Sequence, residues 1–173
     1  MEYRLRKITD SAALDDRKLM DVYREDNEEN AAVFFPMIRD KMTAVKLTEE
    51  EYLKYLKREF LRDPGNALWV LEADGVWVSA LRTYPAAGNA QYIEAVETHP
   101  DHRRRGYAAK LLTDVLARLK QEGCVKVCDC VEKENTASLK LHERCGFRIA
   151  RDPGYDYLAG EAEEDTFGME ILL

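Results

Sequence analysis

Apolar and polar positions alternate in several short segments of the chain, and this two-residue period predicts β-strands. One pair of apolar runs is joined by Asp74 and Gly75, a dipeptide typical of a tight hairpin turn. The closing segment TFGMEILL is also strand-like. The predicted strands are 3–8, the two arms of 67–84, 91–99, 125–131 and 166–173.

Other segments repeat their apolar residues at helical spacing. In the earliest strong case, Thr48 and Glu51 form a potential capping box, and Pro64 and Gly65 end the pattern. Residues 9–11 also offer N-cap chemistry for a helix after the first strand. The predicted helices are 46–65, 106–122 and 136–144. Helices therefore flank a strand-rich middle, which predicts an α/β protein with a mixed sheet.

The composition narrows the classes of partner and compartment. The chain has 173 residues, with 33 acidic and 26 basic side chains and a formal net charge of −7. This excess of acid disfavours nucleic acid and anionic membranes as partners. The chain contains no long apolar run, no signal-peptide pattern and no disulfide framework among its four cysteines. We expect one domain over residues 1–173, located in the cytoplasm as a monomer or homodimer.

Positive charge is nevertheless concentrated in one short stretch, HRRRGYAAKLL, at 102–112. Arg103, Arg104 and Arg105 precede Gly106, where a helix is predicted to begin. The first N–H groups of a helix are unpaired and attract anions, and a glycine lets a ligand approach the backbone. Taken alone, the stretch is more typical of a solvated helix start than of an anion site.

The spacing Arg103-x-x-Gly106-x-Ala108 resembles the pyrophosphate-binding motif of the GNAT superfamily of N-acetyltransferases. The preceding AVETHP resembles the fourth strand of that family, and ENTASLKLHERCGF at 134–147 resembles a second family segment. The resemblance implies the GNAT fold. That fold is a mixed, mostly antiparallel sheet flanked by helices, and its strands 91–98 and 125–131 would splay apart.

The resemblance also implies acetyl-CoA as co-substrate, with no metal. Backbone groups of Val96, Glu97 and Thr98 would bind its pantetheine arm. The implied pyrophosphate site consists of the backbone amides of Arg103, Arg104, Arg105, Gly106, Tyr107 and Ala108. Asn135 and Ser138 would contact the far side of the cofactor.

Fewer residues are candidates for the acid and the base of the acetyl transfer than for cofactor binding. The family places a tyrosine acid seven residues after the asparagine, but this chain has His142 there. Either His142 protonates the CoA sulfur, or it is a surface residue and the thiolate leaves unaided. Glu94 and Glu97 are candidate bases. Three residues apart on a regular strand, they would face opposite sides unless a bulge intervenes.

Two further sets of residues remain open to more than one interpretation. Cys128 and Cys130 share a strand face, but no other ligands complete a metal site, so core packing is favoured. Segments 27–42 and 151–167 carry carboxylates and aromatics that suit a cationic amine acceptor, or they are solvated acidic loops. The predicted function is acetyl transfer to an amine by direct attack, and the acceptor is either a small molecule or an amine of a protein or peptide. The alternative is a non-catalytic CoA-binding sensory or regulatory module.

Overall fold

The computed structural model describes residues 1–173. The strands are β1 (Tyr3–Ile8), β2 (Ala67–Ala73), β3 (Val76–Ala86), β4 (Ala90–Thr98), β5 (Lys126–Glu132), β6 (Arg148–Arg151), β7 (Gly154–Asp156), β8 (Glu161–Glu163) and β9 (Thr166–Leu172). The helices are α1 (Asp16–Val22), α2 (Arg24–Phe34), α3 (Lys41–Arg58), α4 (Tyr107–Gln121) and α5 (Thr136–Arg144). Short 3-10 turns lie at 11–13, 60–62 and 100–102.

Seven strands form one mixed sheet in the order β1-β2-β3-β4-β5-β9-β6, and β7 and β8 form a separate hairpin. All neighbours in the sheet are antiparallel except β4 and β5. One apolar core lies between the sheet and α4, and a second lies against α1 and α3. This arrangement confirms the predicted fold class.

The hairpin turn between β2 and β3 forms where it was predicted. Asp74 and Gly75 have φ angles of 47° and 84°, which a two-residue turn of this type requires. The closing strand and the helix at 136–144 also lie within a residue of their predicted bounds.

The predicted start of α3 is wrong. The helix begins at Lys41, and Asp40 caps it by accepting a hydrogen bond from the Thr43 amide at 2.9 Å. Thr48 is instead a buried interior residue whose hydroxyl donates to the Ala44 carbonyl. The helix extends further back because Ala44 already lies on its buried face, one turn before Thr48.

The first α-helix also begins later than residues 9–11 suggest. Asp10 caps only a short 3-10 turn, and Asp15 caps α1 by accepting from the Lys18 amide at 3.1 Å. No helix of the chain combines the length and apolarity that crossing a bilayer requires.

The parallel pair β4 and β5 separates soon after it forms. Only Ala90, Gln91 and Tyr92 of β4 have partners on β5, although β4 continues to Thr98 and β5 to Glu132. The backbone of β4 beyond Tyr92 therefore has no strand neighbour on its β5 side. This confirms the predicted splayed pair and opens a cleft in the middle of the sheet.

Candidate active site

A β-bulge in β4 brings the two candidate carboxylates to the same face of the sheet. Glu97 is opposite Ala80 and Glu94 is opposite Arg82, so that only Leu81 of β3 lies between the two pairs. The extra β4 residue is accommodated at Ala95, whose φ of 53° is unusual for a residue other than glycine. Glu94 and Glu97 therefore both face α1, α2 and α3.

Tyr23 holds the bulge from the opposite layer. This residue is 1% exposed at the junction of α1 and α2, and its hydroxyl donates to the Ala95 carbonyl at 2.8 Å. The contact satisfies a carbonyl that the bulge has turned out of the strand ladder.

Glu97 lies in a setting that disfavours its ionised form. Burial raises the pKa of Glu97 to about 7, and the negative charge of Asp26 acts in the same direction. The positive charge of Arg103, whose Nη2 lies 3.9 Å from Glu97 Oε2, lowers the pKa of Glu97. Arg103 also pairs with Glu25 on α2. A carboxylate with a pKa near neutrality is suited to accept a proton.

Glu94 has very different neighbours. Its Oε2 accepts hydrogen bonds from Arg82 at 2.8 Å and from the Tyr84 hydroxyl at 3.0 Å. Arg82 is only 9% exposed and also donates to the Tyr52 hydroxyl at 2.7 Å. The side chain of Glu94 is thus fixed by groups from β3, and Arg82 in turn is held by α3.

The loop before α4 has the backbone geometry of an anion site. Gly106 caps α4 with φ 81° and ψ 10°, and no side chain caps the free N–H groups of the first turn. Arg104 is also left-handed, with φ 58°. Such a turn aims successive N–H groups at one point, which favours binding of a phosphate.

The predicted cofactor residues of this loop differ in exposure. Arg103, Arg104, Arg105 and Gly106 are exposed, whereas Tyr107 is 5% exposed and packs into the core under α4. Arg103 is partly engaged by Glu25 and Glu97. The loop follows shortly after the edge of β4 at Val96 and Thr98, which has no strand partner on its β5 side.

The second predicted segment lies at the start of α5. Asn135 caps the helix, its Oδ1 accepting from the Ser138 amide at 3.0 Å. Asn135 is exposed and Ser138 is partly exposed, so both are accessible from solvent.

His142, in the last turn of α5, is 0% exposed, so the interpretation of it as a surface residue is wrong. Its Nε2 lies 2.7 Å from Asp129 Oδ2 on β5, and its Nδ1 lies 2.8 Å from the Ser138 carbonyl oxygen. Burial opposes the charged ring, but Asp129 outweighs it and raises the pKa of His142. Both ring nitrogens are engaged within the protein, which favours a structural role. Proton donation to CoA stays a prediction.

A cavity of about 880 Å³ opens between the diverging strands and the β7–β8 hairpin. Seven of its 11 lining residues are acidic and one is basic. The lining residues are Tyr92, Glu94, Cys130, Glu132, Lys133, Glu134, Asp156, Glu163, Glu164, Asp165 and Thr166. Glu97 lies on the same face of the sheet, outside this lining.

Comparison with known proteins shows the family to which the chain belongs. The model of the acetyltransferase (GNAT) family matches residues 19–147, which is most of the chain. The chain belongs to the GNAT family. The match covers both the loop before α4 and the segment at the start of α5.

Two curated relatives are acetyltransferases. The chain is 38% identical over 68 residues to mycothiol acetyltransferase of Corynebacterium aurimucosum, covering 39% of this chain and 21% of that protein. It is 31% identical over 87 residues to aminoglycoside N(6′)-acetyltransferase type 1 of Acinetobacter genomosp. 13, covering 49% and 57%. The matched segments thus span about a fifth and just over half of these two relatives.

Solved structures show the same fold across the whole chain. PaiA N-acetyltransferase of Thermoplasma acidophilum, in complex with coenzyme A, has a TM-score of 0.69 at 17% identity and covers 100% of both chains. A Bacillus subtilis acetyltransferase in complex with CoA has a TM-score of 0.64 at 13% identity and covers 99% of both.

Several groups at this site were not identified from the sequence, namely Tyr23, Arg82, Tyr84, Tyr92 and Asp129. Arg82 did leave a signal, because it is a single charge within the apolar run VWVSALRTY. A charge at that position is buried, and a buried charge requires a partner. The tyrosines left no such signal in the sequence, because an aromatic residue in a strand or helix is as typical of a hydrophobic core as of a functional site.

Proposed function

We propose that this protein is an N-acetyltransferase that transfers the acetyl group of acetyl-CoA directly to an amine. The observation that carries the proposal is the juxtaposition, along one cleft, of an anion-binding loop, a free strand edge and a carboxylate with a raised pKa. Family membership and the CoA complexes of its structural neighbours support the same reaction.

Acetyl-CoA, the co-substrate, supplies an activated acetyl group as a thioester. The N–H groups from Arg103 to Ala108 would bind its pyrophosphate, because the turn at Gly106 leaves them unpaired. The unpaired edge of β4 from Val96 to Thr98 would hold the pantetheine arm as an added strand. Asn135 and Ser138 would contact the far side of the cofactor.

Glu97 would act as the general base. The amine nitrogen forms a bond to the acetyl carbon, the carbon–sulfur bond breaks, and the amine proton passes to Glu97 directly or through a water. A pKa of about 7 lets Glu97 be deprotonated above neutrality and still accept that proton. The thiolate takes a proton from solvent or from a group of the protein, with His142 still the named candidate.

The acceptor would enter through the acidic cavity. Its carboxylates favour an amine that approaches as a cation. Tyr92, the aromatic residue of the lining, suits the aliphatic part of such a molecule. We place the protein in the cytoplasm, because all four cysteines are free thiols.

Thiol release from acetyl-CoA, followed over a panel of primary amines, tests this proposal. We expect amine-dependent release that exceeds the hydrolysis seen without an amine. A protein that binds acetyl-CoA but releases no thiol with any amine would instead fit the rival function, a CoA-binding sensory or regulatory module.

A further inference from the structure

The ion pair between Glu94 and Arg82 suggests a role for Glu94 other than that of a base. Both hydrogen bonds to Glu94 go to the same oxygen, Oε2, which leaves Oε1 without a protein partner. Glu94 lines the acidic cavity, but Arg82 and Tyr52 do not. The carboxylate is therefore held from behind, with one oxygen available to a ligand in front.

Arg82 is itself immobilised by an aromatic enclosure. Its guanidinium carbon lies 5.4 Å from the ring centre of Tyr52, 5.8 Å from that of Tyr55 and 5.9 Å from that of Phe60. The Tyr55 hydroxyl also lies 3.2 Å from the Tyr84 hydroxyl, which joins the enclosure to the second donor of Glu94. Such an arrangement fixes a charged side chain within a narrow range of positions.

The separation of the two carboxylates follows from the bulge. Glu94 and Glu97 are opposite residues two positions apart on β3, which corresponds to about 7 Å along a strand. A nitrogen that donates its proton to Glu97 must be neutral when it attacks. If the acceptor carries a second amino group about 7 Å from the first, that ammonium group would lie beside Oε1 of Glu94, the oxygen without a protein partner.

The rest of the cavity does not supply a competing cation. Its one basic residue, Lys133, pairs at 2.6 Å with Asp152, which is not part of the lining. Six further carboxylates line the cavity beyond Glu94. Its electrostatic field therefore attracts a molecule with more than one positive charge.

We propose that Glu94, fixed by Arg82 and Tyr84, binds a second ammonium group of the acceptor, so that the enzyme selects diamines over monoamines. This inference rests on the proposed function and names the substrate class of the same cavity. Glu94 is then a specificity-determining residue, and Arg82 and Tyr84 are positioning residues.

The test compares 1,4-diaminobutane with 4-amino-1-butanol, which has the same chain length but a neutral far end. For the wild-type protein we expect kcat/KM to be at least about tenfold higher for the diamine, the usual worth of one well-placed charge-assisted hydrogen bond. Glu94→Gln should bring the ratio close to one, mainly through the KM of the diamine. Tyr84→Phe, which removes one donor but keeps the ring, should give an intermediate ratio.

Glu163→Gln is the matched control, because it removes the same charge from another part of the same cavity. Its ratio should stay close to that of the wild type. A wild-type ratio near one overturns the inference, as does an equal loss of preference in Glu163→Gln. If a folded Glu94→Gln variant loses turnover with both substrates, Glu94 takes part in the catalytic step, and the inference that it determines specificity is also overturned. Absence of wild-type turnover with every amine is a different outcome, which contradicts the proposed function itself.

Discussion

The raised pKa of Glu97 comes from its burial and from Asp26, which is far away in the sequence. Burial at the α2 side of the sheet and the nearby Asp26 raise its pKa, and Arg103 lowers it. In the sequence, Glu94 and Glu97 were equivalent candidates for the base. The structure separates them, because one is paired with a buried arginine and the other is not.

The first prediction concerns the pH dependence set by Glu97. Only its deprotonated form can accept a proton, so kcat/KM should rise as the pH increases through about 7. Glu97→Gln should lower kcat about 10²-fold and remove this limb of the profile. Steady-state rates across the pH range check both effects. An unchanged acidic limb in Glu97→Gln would assign it to another group.

The second prediction concerns the buried pair of His142 and Asp129. His142→Phe leaves Asp129 buried without its partner, which should cost about 3 kcal/mol of unfolding free energy. Folding raises the pKa of His142 above its ordinary value of 6.5. The stability that protonated His142 contributes is therefore complete below pH 6.5 and is lost as the pH rises through the pKa of the folded protein. Chemical denaturation of both proteins at about pH 6 and about pH 9 measures this difference.

The same variant decides between the two roles of His142. A structural residue should leave kcat close to wild type at a temperature where the variant is folded. A proton donor should show a loss of about 10²-fold, with cofactor binding unchanged. His142→Tyr, which restores the acid usual in the family, should then regain most of the rate.

At the scale of elements, the loop before α4 and the bulge in β4 carry the site. The loop could be predicted, because its glycine, arginines and following helix are local in sequence and match a known motif. The bulge could not, since it depends on the register between β3 and β4. The rule that residues three apart on a strand face opposite sides failed at Ala95 for that reason.

The third prediction tests the loop. Acetyl-CoA should raise the Tm of the wild-type protein, because a ligand bound to the native state stabilises it. Gly106→Glu should abolish the shift by placing bulk and negative charge at the helix start. Gly88→Glu is the control, since Gly88 has a similar φ of 73° and also has open space around it. It should lower the Tm but keep the shift.

The fourth prediction tests the bulge. Tyr23→Phe keeps the buried ring but removes the hydrogen bond to the Ala95 carbonyl, at a cost of about 1 kcal/mol. We expect a lower kcat and a shifted acidic limb, because Glu97 loses its fixed position, while the acetyl-CoA Tm shift is retained. Tyr3→Phe, whose exposed hydroxyl contacts only Met1, should change neither. A normal pH profile in Tyr23→Phe would confine Tyr23 to packing.

At the scale of the whole molecule, most of the fold could be predicted from its local patterns. The strands, the hairpin turn and α4 all have strong periodicity or turn signals. The β6–β8 region could not, because these strands are three or four residues long and mostly exposed. Asp156 and Glu163 of this region line the acidic cavity together with carboxylates from β4 and β5. The negative charge of the cavity could therefore not be predicted from any one segment of the sequence.

The fifth prediction follows from the contrast between the basic loop at 103–105 and the net negative charge of the whole chain. An acidic protein that binds CoA through one basic loop should lose affinity as salt rises, because exposed charges are screened. Dephospho-CoA should still bind if the pyrophosphate is the main contact. Titrations at low and high ionic strength measure both. Equal binding of pantetheine, which lacks the pyrophosphate, would contradict the assignment of the loop.

Mass analysis of the reaction products tests the central claim most directly. With acetyl-CoA and 1,4-diaminobutane, wild-type protein should form acetylated amine in equal moles with free CoA thiol, and Gly106→Glu should form neither. Acetyl-CoA that stabilises the protein but yields no acetylated amine from any amine at any pH would contradict the account and identify a CoA-binding module without catalysis.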